Sequence, residues 1–352
     1  MTKSIVDKKE VLKDLIEQEL KPYVKQIDLD AFYAESFLRK LGESGLLSSN
    51  GRTQKETLSE ELLIVSETAK TCMTTAFCLW CHLAALTYVR KSENVLLQEA
   101  LLASLENGKL LAGTGLSNPM KFYAGLENLH LKAEKVDGGY RISGVLPSVS
   151  NLGETHGFGA IAALNDSERV MCFIFCNSEG LSLKEKSEYL GLNGSATYAC
   201  VFKDVFVPTE LVISEDADAF VKKIKPTFIA YQIPLGLGVM EASIQSIEKA
   251  CNRQNGCNRF LRIQPNDLEE AKVKFEQDLD ALIQSDDLDW KEIAKVRLST
   301  AYLTLETVQA AMLHNGSAAY LKVSPSARRL KEAYFFANLT PTIKHLEKML
   351  DC

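Results

Sequence analysis

The spacing of apolar residues changes twice along this 352-residue chain, and the order of the resulting segments restricts the folds available to it. Up to about residue 112, apolar side chains such as Leu12 and Leu15 recur at helical spacing. From Leu110 onward, alternation and β-branched or aromatic residues dominate, and the helical spacing returns after Asp216. The pattern predicts an α+β chain of three domains. These are an N-terminal helical domain over residues 1–112, a central β-barrel domain over residues 113–212 and a C-terminal helical bundle over residues 213–352.

Three stretches carry the most specific local predictions. Residues 129–136 alternate and precede Asp137-Gly138-Gly139, a turn sequence typical of a β-hairpin. The apolar run 170–176 predicts a strand buried on both faces, so that the central segment is expected to form a small antiparallel barrel or sandwich. Further along, the pattern of residues 228–250 predicts one long helix in spite of Pro234.

Charge and hydropathy restrict the cellular location and the partners expected for this chain. Charged residues interrupt the first ten positions, so they do not resemble a signal peptide. The longest apolar run, residues 228–240, is shorter than the roughly 20 residues that a membrane span requires. The net charge of −6 lacks the basic excess typical of a nucleic-acid-binding protein. We therefore expect a cytoplasmic protein with no membrane span and no nucleic-acid partner.

The nine cysteines are scattered through apolar segments, and their odd number favours free thiols in a reducing compartment. Cys78 and Cys81 have C-x-x-C spacing, but no second Cys or His pair follows at zinc-finger distance. Two small buried side chains explain this pair better than a metal or redox role. The five histidines also lack the spacing of metal ligands, so no metal site is predicted.

Four segments of the chain follow one another in a recognisable order. The first is Leu116-Ser117-Asn118-Pro119, and the second covers residues 133–151 and ends in Val149-Ser150-Asn151. The third and fourth cover residues 190–208 and 315–333. In this order the segments resemble the acyl-coenzyme A dehydrogenase family, flavoproteins with helical, β-barrel and helical regions. The resemblance extends over about residues 9–348 and implies the same architecture.

The resemblance implies a flavin site at the lip of the barrel. Ser117 and Ser150 replace two family threonines that contact the flavin ring. Ser148 stands where the family often has an aromatic residue that stacks on the ring, and Leu116 is also assigned to the site. Arg253 corresponds to an arginine that reaches the cofactor pyrophosphate across a dimer interface. The implied cofactor is FAD, with FMN as the alternative. The other interpretation is that the serines cap turns and the arginine is solvated.

The usual catalytic glutamate of the family is missing. Its place is occupied by Thr340, whose hydroxyl is too weak a base to remove an α-proton. A second family position for the glutamate corresponds to Lys225-Pro226. The chain therefore resembles a divergent member whose catalytic base is not identified, with Thr340 expected beside the substrate. Glu241 or Glu306, on the C-terminal helices, is an alternative source of a carboxylate.

The resemblance implies a flavin-dependent oxidoreductase of the acyl-CoA dehydrogenase type. It would oxidise an acyl thioester of fatty acid metabolism, or a similar apolar substrate, and pass electrons to an acceptor. One alternative is a monooxygenase that uses oxygen and reduced flavin from a flavin reductase, with His82 adjacent to the substrate; the competing interpretation of His82 is a core histidine bonded to backbone. Another alternative is a degenerate homologue that binds an acyl thioester or a partner subunit without turnover. A homo-oligomer is expected from the resemblance alone.

Overall fold

The computed structural model describes residues 5–186, 188–251, 254–285 and 287–351. In these residues the chain forms helices, then a sheet, then helices again, which confirms the predicted order of elements. The first six helices precede the sheet. They are α1 (Ile5–Leu15), α2 (Val24–Leu29), α3 (Glu35–Glu43), α4 (Gln54–Thr71), α5 (Met73–Lys91) and α6 (Val95–Glu106).

Helices α4 and α5 form the centre of the N-terminal part. Helix α4 begins with a capping box, in which Glu56 N donates to Thr53 Oγ1 (3.2 Å) and Thr53 N donates to Glu56 Oε2 (2.8 Å). In helix α5 every side chain from Met73 to Val89 is buried. A helix that is apolar on all faces is enclosed by other elements. The sheet and the C-terminal helices therefore pack against helix α5.

The central segment contains eight strands and one short helix within the part of the chain that the structure describes. The hairpin predicted at Asp137–Gly138 joins β2 to β3, with Gly138 at φ 74°. The elements are β1 (Ala112–Thr114), α7 (Ser117–Tyr123), β2 (Leu131–Val136), β3 (Gly139–Val149), β4 (Gly157–Ala163), β5 (Arg169–Phe175), β6 (Leu181–Glu185), β7 (Tyr198–Pro208) and β8 (Val212–Ser214).

The strands form one mixed sheet that is open, so the predicted closed barrel is wrong. Their order is β6-β7-β3-β2-β4-β5-β8, with β1 parallel to β4 off this path. The two halves meet where β2 and β4 share a single parallel residue pair, Lys132 and Ala163. The edge strands β6 and β8 are only five and three residues long and lie at opposite ends of the sheet. A barrel requires its first and last strands to tilt and stagger into register, and these short edges do not pair.

Six α-helices follow the sheet in the part of the chain that the structure describes. The single long helix predicted over residues 228–250 is wrong, because helix α8 ends at Ala230 and helix α9 begins at Ile233. Pro234 lies in the first turn of α9, where its missing N–H costs no helical hydrogen bond, so it starts a helix here. The helices are α8 (Ala217–Ala230), α9 (Ile233–Ala250), α10 (Pro265–Gln284), α11 (Trp290–Asn315), α12 (Pro325–Asn338) and α13 (Ile343–Asp351).

Two glycines allow α9 to approach its neighbours closely. A Cβ on Gly236 would lie 2.6 Å from the Phe336 ring of α12, and one on Gly238 would lie 2.5 Å from the Ser66 carbonyl oxygen of α4. Neither position has room for a side chain, so α9 lies directly against both helices. This packing fixes α12, whose C-terminal end leads to Thr340.

Membrane-spanning and metal-binding features are not seen in the described residues. No helix there is long and apolar enough to cross a bilayer, and no group of three or more potential ligands could hold a metal ion. Cys78 and Cys81 are buried free thiols, and burial raises the pKa of both. Since the thiolate is the form that binds metals and reacts, this environment agrees with the interpretation of two small core side chains.

Candidate functional site

A cavity of about 480 Å³ lies between the strand ends of the sheet and helices α5, α8 and α12. Its volume falls within the ~300–1,000 Å³ typical of sites for small molecules. One side carries hydroxyl groups and the other carries aromatic rings, so the cavity can hold a ligand with a polar edge and an apolar body. The hydroxyl-bearing Ser and Thr residues are Thr114, Ser117, Ser148, Ser150, Ser195, Thr197 and Thr340.

The structure brings four of the sequence-predicted residues into this cavity, namely Ser117, Ser148, Ser150 and Thr340. Ser117 is the first residue of α7, and Thr340 follows the end of α12, 223 positions later in the sequence. Their hydroxyl oxygens are 3.1 Å apart and form a hydrogen bond. Because each hydroxyl carries one hydrogen and the bond uses only one, the pair keeps a donor available to a ligand.

A second cluster of hydroxyl groups, which is centred on Thr197, was not predicted from the sequence. Thr197 Oγ1 lies 2.7 Å from Ser150 Oγ and 2.8 Å from Ser195 Oγ, so three hydroxyls form a chain with one unused hydrogen. Thr114 was also missed, and its oxygen bonds the Tyr88 hydroxyl at 2.7 Å. Ser195 lies within a segment that carries the family resemblance, but nothing in its spacing shows that Thr197 would connect it to Ser150.

Backbone contacts hold this hydroxyl cluster in place. Asn151, at φ 62°, donates through Nδ2 to the Ala112 carbonyl oxygen (2.8 Å), and its Oδ1 accepts from the Tyr33 hydroxyl (2.6 Å). Its backbone N–H donates to the Ser195 carbonyl oxygen at 3.0 Å. A Cβ on Gly113 would lie 2.2 Å from the Ser150 carbonyl oxygen, so β1 can lie this close only because residue 113 is glycine. Asn151 thus joins β1 and the turn at Ser195 at the mouth of the cavity.

Four aromatic side chains form the apolar wall. The ring centroids of Phe77 and Phe335 are 4.8 Å apart, and those of Trp80 and Phe228 are 5.1 Å apart, both with edge-to-face geometry. Phe77 and Trp80 are stacked at 5.6 Å, and Trp80 Nε1 donates to the Phe228 carbonyl oxygen at 3.3 Å. The indole hydrogen bond leaves the ring faces for apolar contact. The wall is therefore suited to a flat or aliphatic ligand.

The described residues that line the cavity include no Asp, Glu or His. The one charged side chain among them, Lys331, forms an ion pair with Asp28 at 2.5 Å. Glu241 forms ion pairs with Lys272 (2.9 Å) and Lys70 (3.2 Å) and does not line the cavity; Glu306 is exposed on α11. Neither alternative carboxylate from the sequence therefore reaches the site.

A buried pair of polar side chains fixes the main chain at Thr340. Gln232 Nε2 donates to the Thr340 carbonyl oxygen (2.9 Å), and Arg297 Nε donates to Gln232 Oε1 (3.0 Å). Arg297 also donates through Nη2 to the Phe336 carbonyl oxygen at 2.7 Å, in the last turn of α12. Burial lowers the pKa of Arg297 to about 9. A cation at the C-terminal end of a helix is favoured by the helix dipole, which helps to hold this end beside the cavity.

Two sequence-predicted residues of the described part, Leu116 and His82, do not line the cavity. Leu116 is fully buried, and its backbone N–H donates to Thr114 Oγ1 at 3.3 Å. Arg253 lies outside the residues that the structure describes. His82 is in the core: its Nδ1 accepts from Ala112 N (3.2 Å), and its Nε2 lies 3.1 Å from the Leu105 carbonyl oxygen. Since a backbone N–H can only donate, Nε2 carries the proton, and the core-histidine interpretation fits this geometry.

The buried His82 makes stability depend on pH. Burial lowers the pKa of His82 to about 4, whereas an exposed histidine titrates near 6.5. The stabilisation from the neutral ring is therefore complete above pH 6.5 and is lost as the pH falls through 4. We expect this group to reduce the free energy of unfolding by about 3 kcal/mol over that interval. Urea unfolding at pH 7 and pH 4 measures it, and His82→Gln should remove this component; an unchanged pH dependence would contradict the assignment.

Comparison with known proteins identifies the fold. No protein-family model matches the chain. A short-chain-specific acyl-CoA dehydrogenase of Clostridium acetobutylicum is 24% identical over 225 residues, which are 60% of this chain and 58% of that relative. The structure of butyryl-CoA dehydrogenase from Megasphaera elsdenii matches with a TM-score of 0.87 at 17% identity, covering 100% of this chain and 99% of that chain. The chain has the acyl-CoA dehydrogenase fold.

The same acyl-CoA dehydrogenase-like architecture is found in the structure of PigA with FAD and proline. That structure matches with a TM-score of 0.81 at 16% identity and covers 99% of this chain and 97% of its own. The chain spans 58% of the length of each of these two curated relatives, the Clostridium enzyme and an acryloyl-CoA reductase (NADH) of Anaerotignum propionicum. The family resemblance seen in the sequence is confirmed, including the order of helical, sheet and helical parts.

Proposed function

We propose that this protein is an FAD-dependent oxidoreductase that acts on an acyl thioester or a similar apolar substrate. The observation that carries the proposal is the cavity itself, which combines a hydroxyl-lined edge with an aromatic wall in an acyl-CoA dehydrogenase fold. The similar structure of PigA with FAD supports the choice of cofactor, with FMN as the alternative.

The donor set of the cavity fits an isoalloxazine ring. Such a ring has a polar edge that accepts hydrogen bonds and an apolar body, and when bound it supplies hydride acceptance. Ser150 with its hydroxyl neighbour Thr197 would hold one part of the polar edge, and Ser117 with Thr340 another. The ring faces of Trp80 and Phe228 would exclude water from the substrate side. Arg253 remains the proposed partner of the cofactor pyrophosphate.

Proton removal is the step for which the cavity has no evident residue. An acyl thioester loses an α-proton when its Cα–Cβ bond is oxidised, and a carboxylate is suited to accept it. Thr340 lines the cavity, and its hydroxyl already shares a hydrogen bond with Ser117. We propose that Thr340 orients the ligand. The lack of a carboxylate among the described lining residues favours a second candidate, a flavin-dependent monooxygenase that uses oxygen and needs no such base.

The visible absorption spectrum of the purified protein, before and after addition of FAD or FMN and removal of the excess, tests the cofactor site. We expect a retained flavin band. Anaerobic addition of butyryl-CoA then separates the two enzymatic proposals, since bleaching indicates dehydrogenation and no bleaching favours the monooxygenase. A colourless protein that captures neither oxidised nor reduced flavin would contradict both and indicate a non-catalytic binding protein.

Ser150→Leu tests the placement of the flavin edge. We expect about ten- to hundredfold weaker FAD binding, because an apolar group replaces a hydrogen-bonding hydroxyl in a confined site. Fluorescence titration with FAD measures the dissociation constant. The control is Ser182→Leu, at an exposed serine of β6 outside the cavity, for which we expect no change. Equal FAD affinity in the two variants would argue against Ser150 as a flavin contact.

A further inference from the structure

A second and larger cavity, of about 910 Å³, lies at the other end of helix α12. It is enclosed by α1 and the turn after it, by α4, by the C-terminal half of α9 and by the first turns of α12. Both cavities contact helix α12, this one along Pro325, Arg328 and Arg329 and the hydroxyl-lined one from Lys331 onward. The lining residues of this second cavity are different from those of the hydroxyl-lined one.

The charge of this cavity is opposite to that of the whole chain. Seven of the described side chains that line it are cationic and only two, Glu17 and Glu67, are acidic, although the chain has a net charge of −6. Three of the lysines, Lys9, Lys13 and Lys249, are exposed and form no ion pair with the described residues. Apolar side chains form the remaining wall, among them the buried Leu12 and Ile16.

Arg329 is the most informative residue of the cavity. Its side chain is only 7% exposed, yet its Nε has no hydrogen-bond partner among the described residues, and no described carboxylate lies at ion-pair distance. The adjacent Arg328 differs, because it pairs with the buried Glu332 at 2.8 Å. Burial and the neighbouring Arg328 lower the pKa of Arg329 to about 10.

Arg328 and Arg329 both lie near one buried carboxylate, that of Glu332, and the ion pair is formed by Arg328. Two cations beside a single carboxylate leave a local excess of positive charge, which a negatively charged ligand would balance. A guanidinium is suited to phosphate because its planar N–H groups can bond two oxygens at once.

We propose that this cavity binds a phosphate-bearing organic anion of the nucleoside diphosphate class. The Arg329 guanidinium bonds the phosphate within the cavity, while Lys13 and Lys249 add positive charge at its rim. The organic part of the ligand packs against Leu12 and Ile16. No residue lines both this cavity and the hydroxyl-lined one, and the proposal does not rest on the proposed function.

Calorimetric titration of the purified full-length protein with ADP and with inorganic pyrophosphate tests the proposal. We expect both to bind at constant ionic strength, with ADP at least about fivefold tighter because only ADP has an organic part for the apolar wall. Binding should be the same in the presence of saturating FAD. The proposal would be overturned if neither probe bound, or if ADP bound no more tightly than pyrophosphate. It would also be overturned if ADP binding were lost when FAD is added.

Arg329→Met separates a ligand-binding role from a structural one. We expect ADP binding to weaken at least tenfold, while the melting temperature without ligand stays equal or rises, because an unpaired buried charge has been removed. The matched control is Arg262→Met, at an exposed arginine outside the cavity, which should bind ADP normally. If Arg329→Met binds ADP with unchanged affinity, the cavity serves another purpose. The same conclusion follows if this variant no longer retains FAD or no longer forms the oligomer of the unsubstituted protein.

Discussion

Thr340→Glu is expected to make the FAD-loaded protein bleach on anaerobic addition of butyryl-CoA at least about a hundredfold faster than the unsubstituted protein. The described lining of the hydroxyl-rich cavity contains no Asp, Glu or His, so proton removal from an acyl thioester lacks a base there. The substitution places a carboxylate in this lining. An apolar wall raises the pKa of a carboxyl group, which brings it closer to the value required of a base at neutral pH.

The geometry around Thr340 favours a productive orientation of the new side chain. The Thr340 carbonyl oxygen is held by Gln232, and this bond involves only the main chain. The substitution therefore removes the hydrogen bond to Ser117 but leaves the backbone contact in place. Because Arg297 anchors Gln232 and the end of α12, the position of the Cβ should be preserved.

Thr340→Gln is the matched control for this experiment. Its side chain has the shape and size of glutamate but cannot accept an α-proton, so we expect it to bind FAD and remain unbleached. Stopped-flow absorbance of both variants at equal FAD occupancy gives the comparison. Equal bleaching rates would show that the introduced carboxylate does not reach the α-proton. Rapid bleaching of the unsubstituted protein would show that another group already acts as base.

The order of elements could be predicted from the sequence because helical and alternating spacing are local properties. Whether the sheet closes into a barrel could not be predicted, because the alternation of residues along β6 and β8 does not indicate which strands these edge strands contact. The break between α8 and α9 was missed for a related reason. Pro234 is compatible with the first turn of a new helix as well as with a bend in a longer one, and only the packed structure distinguishes the two.

Part of the site could be predicted in the same way, and part could not. Ser117, Ser150 and Thr340 were found through segments that resemble a family, although they are far apart in the sequence. Gln232 and Arg297 were not found, because a single polar residue inside an apolar stretch produces no periodic signal. Their importance becomes visible only when three helices bring them together below Thr340.

Arg90→Met is expected to lower the free energy of unfolding by about 3–5 kcal/mol, the largest stability change that we predict. Arg90 lies in the last turn of α5 and donates to Glu61 (2.7 Å), to Glu106 (2.9 Å) and to the Leu47 carbonyl oxygen (2.7 Å). Glu61 is 1% exposed and also accepts a hydrogen bond from the Tyr231 hydroxyl. Removal of the guanidinium leaves two carboxylates close together, one of them in the core.

The cost arises from these uncompensated charges, so a further substitution should recover part of it. Arg90→Met combined with Glu61→Gln and Glu106→Gln removes every charge of the cluster, and we expect it to be more stable than Arg90→Met alone. Guanidinium unfolding at pH 7 measures the three proteins, with the exposed Arg141→Met as a control that should change little. If the triple variant is no more stable than Arg90→Met, lost packing of the arginine side chain explains the effect.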